Sequence, residues 1–300
     1  MLALTYKKVE KLTEGSGCLY LVATPIGNLE DITFRAIKVL QEVDLIAAED
    51  TRHTRKLLSH YDIHTPLTSY HKYNELSKGE ELLAKIGQGL KVALVSDAGM
   101  PGISDPGYEL VVKAREMGLS VVPIPGATAA LSALVVSGLP TSRFVFEGFL
   151  PRKGKERKAI LEELKNEKRT VIIYEAPHRL VNTLEDLHQI LGDRKLVLAR
   201  EITKKYEEFI QGTITSMLEH YKNAEPKGEF TIVLAPDESK TDISEEPTLE
   251  QAIEEVWHLV EAGTDRKIAI KEVAKNFGFP KREVYNAMLK VKTEVEGKKG

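Results

Sequence analysis

Short apolar runs rich in Val and Ile alternate along the chain with segments in which apolar residues recur every three or four positions. Runs of this length bounded by turn residues predict buried strands, and the wider spacing between them predicts helices. The predicted strands are "CLYLVA", "VDLIAA", "KVALVS", "SVVPI", "FVFEGF", "TVIIYE", "KLVLAR" and "EFTIVLA". Strands that alternate with helices predict an α/β protein with largely parallel pairing.

The pattern changes near Pro123, and this change suggests more than one domain. Before it, a helix is predicted from Pro106 to Met117 and ends at Gly118. After it, longer charged helices follow the strands, and "TKKYEEFIQGTI" predicts an antiparallel hairpin. The predicted organisation is an N-terminal α/β domain at 17–122, a C-terminal α/β domain at 123–236, an acidic linker at 237–247 and a helical basic extension at 248–300.

The extension has a helical pattern of its own, which begins at Thr248 as a predicted cap. Further on, apolar residues with helical spacing lie on either side of Gly278, which predicts two helices joined by a tight turn. This arrangement resembles a helix-turn-helix, and a plain helical hairpin fits the pattern equally well. Lys281 and Arg282 at the start of the second helix favour nucleic-acid contact.

Composition narrows the class of protein. A net charge of -3 over 300 residues excludes a uniformly basic surface, although "PRKGKERK" is a strongly basic segment. The single cysteine, Cys18, excludes an internal disulfide framework and a thiolate-rich zinc site, and it favours a reducing compartment. Neither a signal peptide nor a membrane-length apolar run is visible, so we expect a cytoplasmic protein that is not embedded in a membrane.

Several familiar sites are missing from the sequence. It contains no G-x-x-x-x-G-K-[ST], G-x-G-x-x-G after a strand, H-E-x-x-H or G-x-S-x-G motif. These absences argue against a P-loop NTPase, an ordinary dinucleotide site and the glycine-rich loop of the common methyltransferase fold. His53, His60, His64 and His71 are not spaced as metal ligands, so no metal is expected.

Four loops follow predicted strands, where open α/β sheets bind their ligands. They are "TPIGNLEDIT", "AEDTRHTRKLL", "VSDAGMPGISDPG" and "PIPGATAALSAL". Their glycines allow a ligand or another backbone to approach closely. Asp31 is predicted to cap the helix that contains Phe34. Glu49 and Asp50 stand at a strand end, although Asp50 and Thr51 also fit a simple helix cap.

These motifs, together with "GFLPRKGKER" and "YEAPHRL" and in this order, resemble the ribosomal RNA small subunit methyltransferase I family, a branch of the tetrapyrrole methylase superfamily. The resemblance runs from about Gly17 to Pro236, and the basic extension also fits the family. One departure concerns the third of the four loops. It has Ser96, Asp97 and Ala98 where the wider superfamily commonly has Gly-Asp-Pro, which is a mark of the RNA-modifying branch.

The resemblance implies a fold, a cofactor and a reaction. It implies a two-domain tetrapyrrole-methylase-like fold with S-adenosylmethionine bound in the cleft, a homodimer, and methyl transfer to a ribose 2'-hydroxyl. The acceptor it implies is a cytidine, family position 1402, in the decoding region of 16S ribosomal RNA. The cofactor-binding residues it implies are Pro25, Gly27, Ser96, Asp97, Ala98, Gly99, Pro101, Ile103, Ser104, Pro125, Gly126, Ala127, Thr128, Ala176 and Pro177.

The chemistry of this transfer restricts the catalytic candidates. An in-line displacement needs the hydroxyl oxygen held about 3 Å from the methyl group, and a nearby base or cation assists loss of the hydroxyl proton. The candidates for that assistance are Glu49, Asp50, Glu175, His178, Glu201 and Lys204. We favour the acidic pair Glu49 and Asp50, with Arg52 and Arg179 as phosphate contacts. For Glu175 and Arg179, the alternative is a structural ion pair.

RNA contact requires clustered cations rather than overall positive charge. The candidates are Arg52, Arg55, Arg152, Lys153, Lys155, Arg179, Lys281 and Arg282. Tyr70, His71 or Tyr73 are candidates for stacking on an extruded base, and packing roles fit them equally well. Two other functions remain open: methylation of a small tetrapyrrole-type molecule, and a non-catalytic role in ribosome assembly. The charged segments favour RNA over a small substrate.

Overall fold

The computed structural model of the chain describes residues 16–237 and 248–296. They fall into two compact units, the first ending at Asp237. The predicted linker at 237–247 lies outside the described residues except for Asp237. Within the two described ranges, no helix has the length and apolar character required to cross a membrane.

The first half of the larger unit contains a five-stranded sheet in which all pairing is parallel, in the order β3-β2-β4-β1-β5. Its strands are β1 (Cys18–Val22), β2 (Leu45–Ala48), β3 (Leu67–Ser69), β4 (Lys91–Val95) and β5 (Ser120–Ile124). Nearly continuous apolar runs form β1, β2 and β4 because helices cover both faces of the sheet. The sequence pattern missed β3, which has three residues and only one large apolar side chain.

Four helices cover this sheet, two on each face. They are α1 (Phe34–Glu42), α2 (Thr51–His60), α3 (Glu75–Gly87) and α4 (Tyr108–Glu116). Leu40 of α1 and Leu58 of α2 share one core with Ile46, while α3 and α4 pack in a second core around Leu94. Because the helices cover the faces, the loops that follow the strands meet at the carboxyl edge of the sheet.

Two predicted helix starts differ from the structure. Thr33 caps α1, since its hydroxyl accepts the amide hydrogen of Ala36 at 3.0 Å, whereas Asp31 belongs to a 3-10 turn at Leu29–Asp31. The helix expected from Pro106 begins at Tyr108, because Gly107 has φ +138 and lies against Leu94. The predicted cap at Asp50 is confirmed, with its carboxylate 2.8 Å from the amide nitrogen of Arg52.

The second half contains another five-stranded sheet, in the order β6-β7-β10-β8-β9. Its strands are β6 (Phe144–Phe149), β7 (Thr170–Glu175), β8 (Lys195–Arg200), β9 (Glu208–Thr213) and β10 (Phe230–Leu234). Only β6 and β7 pair in parallel, so the expectation of largely parallel pairing is wrong for this half. The reason is connectivity, because a short loop joins β8 to β9 as the predicted hairpin and β10 inserts antiparallel between β7 and β8.

Helices again lie on both faces of the second sheet. They are α5 (Ala129–Val136), α6 (Lys155–Leu164), α7 (Pro177–Leu191) and α8 (Ile214–Tyr221). Leu161, Leu184 and Met217 pack on one face around Ile173, and α5 packs its Ala133 on the other. The predicted boundary between residues 122 and 123 falls inside β5, which pairs with β1 as far as Ile124. The division into two domains stays a prediction.

The smaller unit consists of α9 (Leu249–Glu261), α10 (Arg266–Asn276) and α11 (Lys281–Glu296). Thr248 caps α9 in a reciprocal bond with Gln251, as the sequence predicted. Gly278, with φ +73, lies in the turn between α10 and α11. The three helices enclose their own core, formed by residues that include Val256, Ile270 and Val284. The predicted pair of helices with a glycine turn is therefore confirmed, together with a third helix that completes their core.

Candidate active site

The loops that follow β1, β4 and β5 are tied together at the carboxyl edge of the first sheet. The backbones of Thr24 and Gly99 exchange two hydrogen bonds of 2.9 and 3.1 Å, and the Thr24 hydroxyl donates to the carbonyl of Ser96 at 3.1 Å. A Cβ on Gly126 would lie 2.9 Å from the Cβ of Ala23. The structure therefore brings together the predicted cofactor residues of these three loops, since β1 pairs with both β4 and β5.

The loop after β4 has an unusual backbone. Gly99 and Gly102 have φ values of +81 and +83, and Ser104 adopts φ +62 without being glycine. A Cβ on Gly99 would meet Ile26 and Ala127 only at 3.6 and 3.7 Å, which is ordinary contact. The left-handed backbone, rather than crowding within the chain, is therefore what requires glycine at this position. Strained residues of this kind concentrate at functional sites.

Three carboxyl groups gather at the ends of the neighbouring strands β2 and β4. Burial, followed by the charge of Asp97, raises the pKa of Glu49. Burial and then the charge of Glu49 raise the pKa of Asp105 to about 7. The charge of Asp97 acts on both groups, and its carboxylate accepts the backbone amide hydrogen of Asp50 at 3.0 Å. A carboxyl group that keeps its proton near neutral pH can exchange that proton during a reaction.

Asp50 has a different environment from Glu49. Its side chain is 34% exposed, and Arg52 pairs with its carboxylate at 2.9 Å. This side-chain hydrogen bond, with the backbone bond at the helix start, lowers the pKa of Asp50 to about 2. Asp50 is therefore ionised at neutral pH, and its side chain is engaged at the start of α2.

The second half faces this acidic cluster with an aromatic group. The Tyr174 hydroxyl accepts the amide hydrogen of Ala130 at 3.1 Å, and its ring packs edgewise on Phe146 at 5.0 Å between centroids. Burial raises the pKa of Tyr174, and the charge of Asp105 also acts on it. At a bulge in β6, a Cβ on Gly148 would lie only 2.9 Å from the Ser104 hydroxyl. The two halves thus meet closely beside Asp105 and Tyr174.

Sequence reasoning did not single out Asp105 or Tyr174. Asp105 looks like a residue that starts a helix, and Tyr174 looks like part of a buried strand. The available signal for Asp105 was that the loops after the second and third predicted strands both contain acids. Only the sheet order, which places β2 beside β4, brings those loops together.

Glu175 and Arg179 have structural contacts. The buried Glu175 carboxylate accepts the amide hydrogen of Ala176 at 2.8 Å and the Thr183 hydroxyl at 2.5 Å. Arg179 pairs with it at 3.3 Å and donates to the carbonyl of Leu150 at 2.6 Å. The structural ion pair between Glu175 and Arg179, the alternative that the sequence left open, is therefore present. The catalytic role of Glu175 and the RNA-binding role of Arg179 stay predictions. The catalytic role of His178, which is exposed, also stays a prediction.

Lys204 and Glu201 also form a pair, in the loop between β8 and β9. The Lys204 ammonium lies 2.9 Å from Glu201 and 3.0 Å from Glu229. Burial acts against the charge of Lys204, but its hydrogen bonds to Glu201 and Glu229 outweigh burial and raise its pKa. Lys204 therefore holds its proton at neutral pH and is poorly suited to act as a base.

The predicted RNA-binding cations differ in exposure. Arg52, Arg55, Arg152, Lys153, Lys155, Lys281 and Arg282 are exposed. By contrast, Arg157 of the same basic segment is buried, with its guanidinium bonded to Asp186 at 2.8 Å and to Thr183 at 3.0 Å. The basic segment therefore presents its charge through the residues before Arg157 and through Lys158.

The candidate stacking residues also separate by exposure. Tyr70 is 1% exposed and bonds to Glu75, so it is a core residue and the stacking interpretation is wrong for it. Tyr73 is 97% exposed, and His71 is partly buried. Phe34, which the sequence predicts only as part of a helix, is 93% exposed at the start of α1. Among residues 16–237 and 248–296, no three His, Cys, Asp or Glu side chains gather in a way that could hold a metal ion.

Comparison with known proteins decides the family. Residues 18–218 match the family described as Tetrapyrrole (Corrin/Porphyrin) Methylases. "Ribosomal RNA small subunit methyltransferase I" of Halalkalibacterium halodurans is 52% identical over 275 residues, which cover 91% of this chain and 95% of the relative. The chain belongs to this methyltransferase family. Its Bacillus subtilis relative of the same name is 50% identical over 273 residues, or 90% of this chain and 94% of that protein.

Solved structures agree on the fold. Cobalt precorrin-4 methyltransferase superposes with a TM-score of 0.56 at 18% identity, covering 75% of this chain and 98% of its own. Uroporphyrin-III C-methyltransferase from Thermus thermophilus, complexed with S-adenosyl homocysteine, superposes with a TM-score of 0.53 at 20% identity. The match covers 72% of this chain and 97% of that structure's chain. The expected tetrapyrrole-methylase-like α/β fold with C-terminal helices is confirmed. Membership of the family also confirms the expected cofactor, S-adenosylmethionine.

The residues at the carboxyl edge fit this cofactor. The close bridge between Thr24 and Gly99 and the contact of Gly126 with Ala23 bring three stretches of main chain to one place. Main chain that approaches closely with small side chains is what a ligand held largely through backbone groups requires. When bound, S-adenosylmethionine supplies an electrophilic methyl group.

Proposed function

We propose that this protein transfers a methyl group from S-adenosylmethionine to the ribose 2'-hydroxyl of a cytidine, at family position 1402, in the decoding region of 16S ribosomal RNA. The observation that carries the proposal is the placement of Glu49 and Asp105, both with raised pKa values, beside the cofactor loops of a methyltransferase family. The relatives that cover nine-tenths of the chain are named as ribosomal RNA methyltransferases.

The chain's own residues have separate tasks in this reaction. Pro25 and Gly27, the stretch from Ser96 to Ser104 and the stretch from Pro125 to Thr128 hold the methyl donor, with Ala176 and Pro177 approaching from the second half. Their task is positioning, because an in-line displacement depends on the alignment of acceptor and donor. Each of these assignments is a proposal that cofactor titration of single variants can test.

Glu49 is the proposed proton acceptor for the ribose hydroxyl. Its pKa is raised by burial and by Asp97, so its carboxylate is a stronger base than that of an exposed glutamate. Asp105, whose pKa is about 7, shares the same electrostatic cluster and is suited to exchange the proton with solvent. Asp50 is not suited to this task, because Arg52 and the start of α2 occupy its carboxylate.

The proposed RNA surface combines cations with exposed rings. Arg52 and Arg55 lie on α2, and Arg152, Lys153 and Lys155 lie on the basic segment, all exposed to solvent. Phe34 and Tyr73 both follow strands of the first sheet and are almost fully exposed. Cations contact phosphates and exposed rings stack on unpaired bases, which is how single-stranded RNA is bound. On the smaller unit, Lys281 and Arg282 are proposed as further phosphate contacts.

A homodimer is also part of the proposal. Leu131, Val135 and Val136 form an apolar face of α5 and are 47, 70 and 52% exposed. An exposed apolar face of this kind favours association with another protein surface. We expect a second copy of the chain as the partner, and analytical ultracentrifugation of Val135→Asp against the unsubstituted protein tests it. An unchanged sedimentation coefficient of Val135→Asp would show that this face of α5 is not the dimer interface.

One experiment tests the proposed reaction. Labelled S-adenosylmethionine is supplied with small subunits that lack the modification, with free 16S ribosomal RNA, and with a tetrapyrrole such as uroporphyrinogen III. Label in one cytidine ribose, mapped by mass spectrometry, is the expected result. Label in the tetrapyrrole alone would favour the small-molecule alternative. Subunit binding without any transfer, by protein that binds the cofactor, would favour an assembly factor.

A further inference from the structure

The loop between β8 and β9 reaches from the second half to the first. Ile202 packs in the second half beside α5, and the next residue, Thr203, hydrogen-bonds through its hydroxyl to the carboxylate of Asp31. Glu201 and Thr203 have φ values of +51 and +67 although neither is glycine. Backbone of this kind persists only where surrounding contacts hold it. The loop is therefore held against the loop after β1, which contains the predicted cofactor residues Pro25 and Gly27.

Lys204 lies directly on Gly27. A Cβ on Gly27 would be 2.4 Å from Cγ and 2.8 Å from Cε of Lys204, closer than real Cβ contacts allow. The contact involves the middle of the lysine side chain rather than its free end. The aliphatic part of Lys204 thus covers the space that any larger residue at position 27 would need.

The far end of Lys204 is anchored. Its ammonium lies 2.9 Å from Glu201 and 3.0 Å from Glu229. Glu201 is itself confined, because its carboxylate also accepts the amide hydrogen of Glu229 at 2.9 Å, and a Cβ on Gly228 would lie 2.5 Å from its Cγ. Because Glu201 and Glu229 hold the ammonium and Glu201 is itself held in place, Lys204 has little freedom to move away from Gly27.

We propose that Lys204 is a positioning residue that holds the Pro25–Gly27 loop in its cofactor-binding form by covering Gly27 while Glu201 and Glu229 anchor its ammonium. The proposal rests on the assignment of the methyl donor to this loop. It replaces the idea of Lys204 as a base, since the ammonium is engaged by two carboxylates. Lys204 acts through the loop, and its loss is expected to weaken cofactor binding before it affects the chemical step.

A double-mutant cycle between Gly27 and Lys204 tests the contact. Gly27→Ala forces the loop and the lysine apart, and Lys204→Ala removes the cover, so each is expected to raise the Kd for S-adenosyl homocysteine about tenfold, or by about 1.4 kcal/mol of binding free energy. In the double variant the added methyl group meets no lysine. Because alanine at φ +155 stays strained without the lysine, the Kd of the double variant should exceed that of Lys204→Ala, but by clearly less than the factor that Gly27→Ala adds when Lys204 is present, since coupled residues do not contribute additively.

Two further variants separate anchoring from covering and provide a control. Lys204→Met keeps most of the aliphatic cover and loses the ion pairs, so its Kd should lie between those of the unsubstituted protein and Lys204→Ala. Lys205→Met removes a neighbouring exposed charge that lies 5.7 Å from the Tyr206 ring, and it should bind like the unsubstituted protein. Thermal unfolding of each variant shows that it is folded.

Kinetics distinguish positioning from a role in the chemical step. For Lys204→Ala, KM for S-adenosylmethionine should rise about tenfold while kcat at saturating cofactor stays within about twofold. A fall in kcat with an unchanged KM would overturn the proposal, as would additive effects of Gly27→Ala and Lys204→Ala on Kd. Binding of S-adenosyl homocysteine needs no RNA. If no RNA is methylated but the cycle behaves as expected, the proposed substrate fails and the positioning role stands.

Discussion

Glu49 and Asp50 are adjacent in the chain, yet their carboxyl groups have opposite electrostatic environments. Both residues are partly buried, but Glu49 lies near Asp97 and has a raised pKa, whereas Asp50 pairs with Arg52 and has a pKa of about 2. The end of β2 separates them, because one side chain turns toward the acidic cluster and the next caps α2. Neighbouring carboxyl groups with separated pKa values commonly have different roles in catalysis.

Glu49→Gln is therefore expected to lower kcat about a hundredfold, the usual contribution of a positioned base, with little change in the Kd for S-adenosyl homocysteine. Asp50→Asn is the matched control, since asparagine also caps helices and leaves the acidic cluster intact. It should keep kcat within about threefold of the unsubstituted value, far from the loss that a positioned base would cause. Initial rates of methyl transfer to RNA at saturating cofactor measure both. Equal losses in the two variants would contradict this separation of roles.

Asp105 is expected to make the protein less stable as pH rises. Its pKa is about 7 in the folded chain and 3.8 when unperturbed, so across this range the unfolded chain has released a proton that the folded chain keeps. Since the unfolded state then binds fewer protons, rising pH favours unfolding until the folded group also ionises. Asp105→Asn removes this loss of stability.

The measurement is the Tm of both proteins at pH 5 and at pH 8. The gain in Tm from Asp105→Asn should be larger at pH 8, where a difference of 1 kcal/mol shifts the Tm of a domain of this size by about 2–4 °C. Asp50→Asn is a comparison without pH dependence in this range. The pKa of Asp50 is about 2 in the folded chain and 3.8 when unperturbed, so its carboxyl group is ionised in both states at pH 5 and at pH 8, and any loss of Tm should be the same at both. The interpretation fails if the Tm difference for Asp105→Asn is the same at both pH values.

Phe34 and Tyr73 are expected to contribute to RNA binding by stacking. Substitution of either by alanine should weaken binding of a single-stranded decoding-region RNA about fivefold to a hundredfold, the effect of losing about 1–3 kcal/mol per stacked base. Folding should be unaffected, since both side chains are more than nine-tenths exposed. Met117→Ala is the control, because Met117 is 56% exposed at the end of α4, away from the carboxyl edge. Fluorescence anisotropy gives the Kd of each variant for the RNA. Unchanged affinity in both aromatic variants would show that neither ring stacks on a base.

The sequence predicts the elements better than it predicts their environment. Apolar runs located eight of the ten strands in the described residues, since burial on both faces of a sheet leaves a clear pattern. The hairpin pattern located β9, while β3 is too short to show a pattern. Arg152 and Arg157 look equivalent in "PRKGKERK", but helix geometry turns Arg157 toward Asp186 and leaves Arg152 in solvent. Asp105 depends on the neighbouring positions of β2 and β4, and a local pattern contains no information on sheet order.

The C-terminal helices are expected to contribute to RNA affinity and not to cofactor affinity. They enclose a core of their own, so ending the chain after Pro247 removes all three helices of this core together. The truncated protein should bind S-adenosyl homocysteine as the full chain does and bind RNA more weakly. Lys281→Ala with Arg282→Ala is the sharper variant, because both residues are exposed at the start of α11 and their replacement leaves the core intact.

Salt dependence distinguishes direct phosphate contact from other effects of this double variant. Each phosphate contact contributes about 0.7 to the slope of log K against log salt for a single-stranded RNA, so loss of two contacts should reduce the slope by about 1.4. Lys267→Ala with Lys271→Ala, on exposed positions of α10 in the same unit, removes the same charge as a control. If both variants change the slope equally, the unit acts through its overall charge. A change confined to Lys281 and Arg282 places the start of α11 on the RNA backbone.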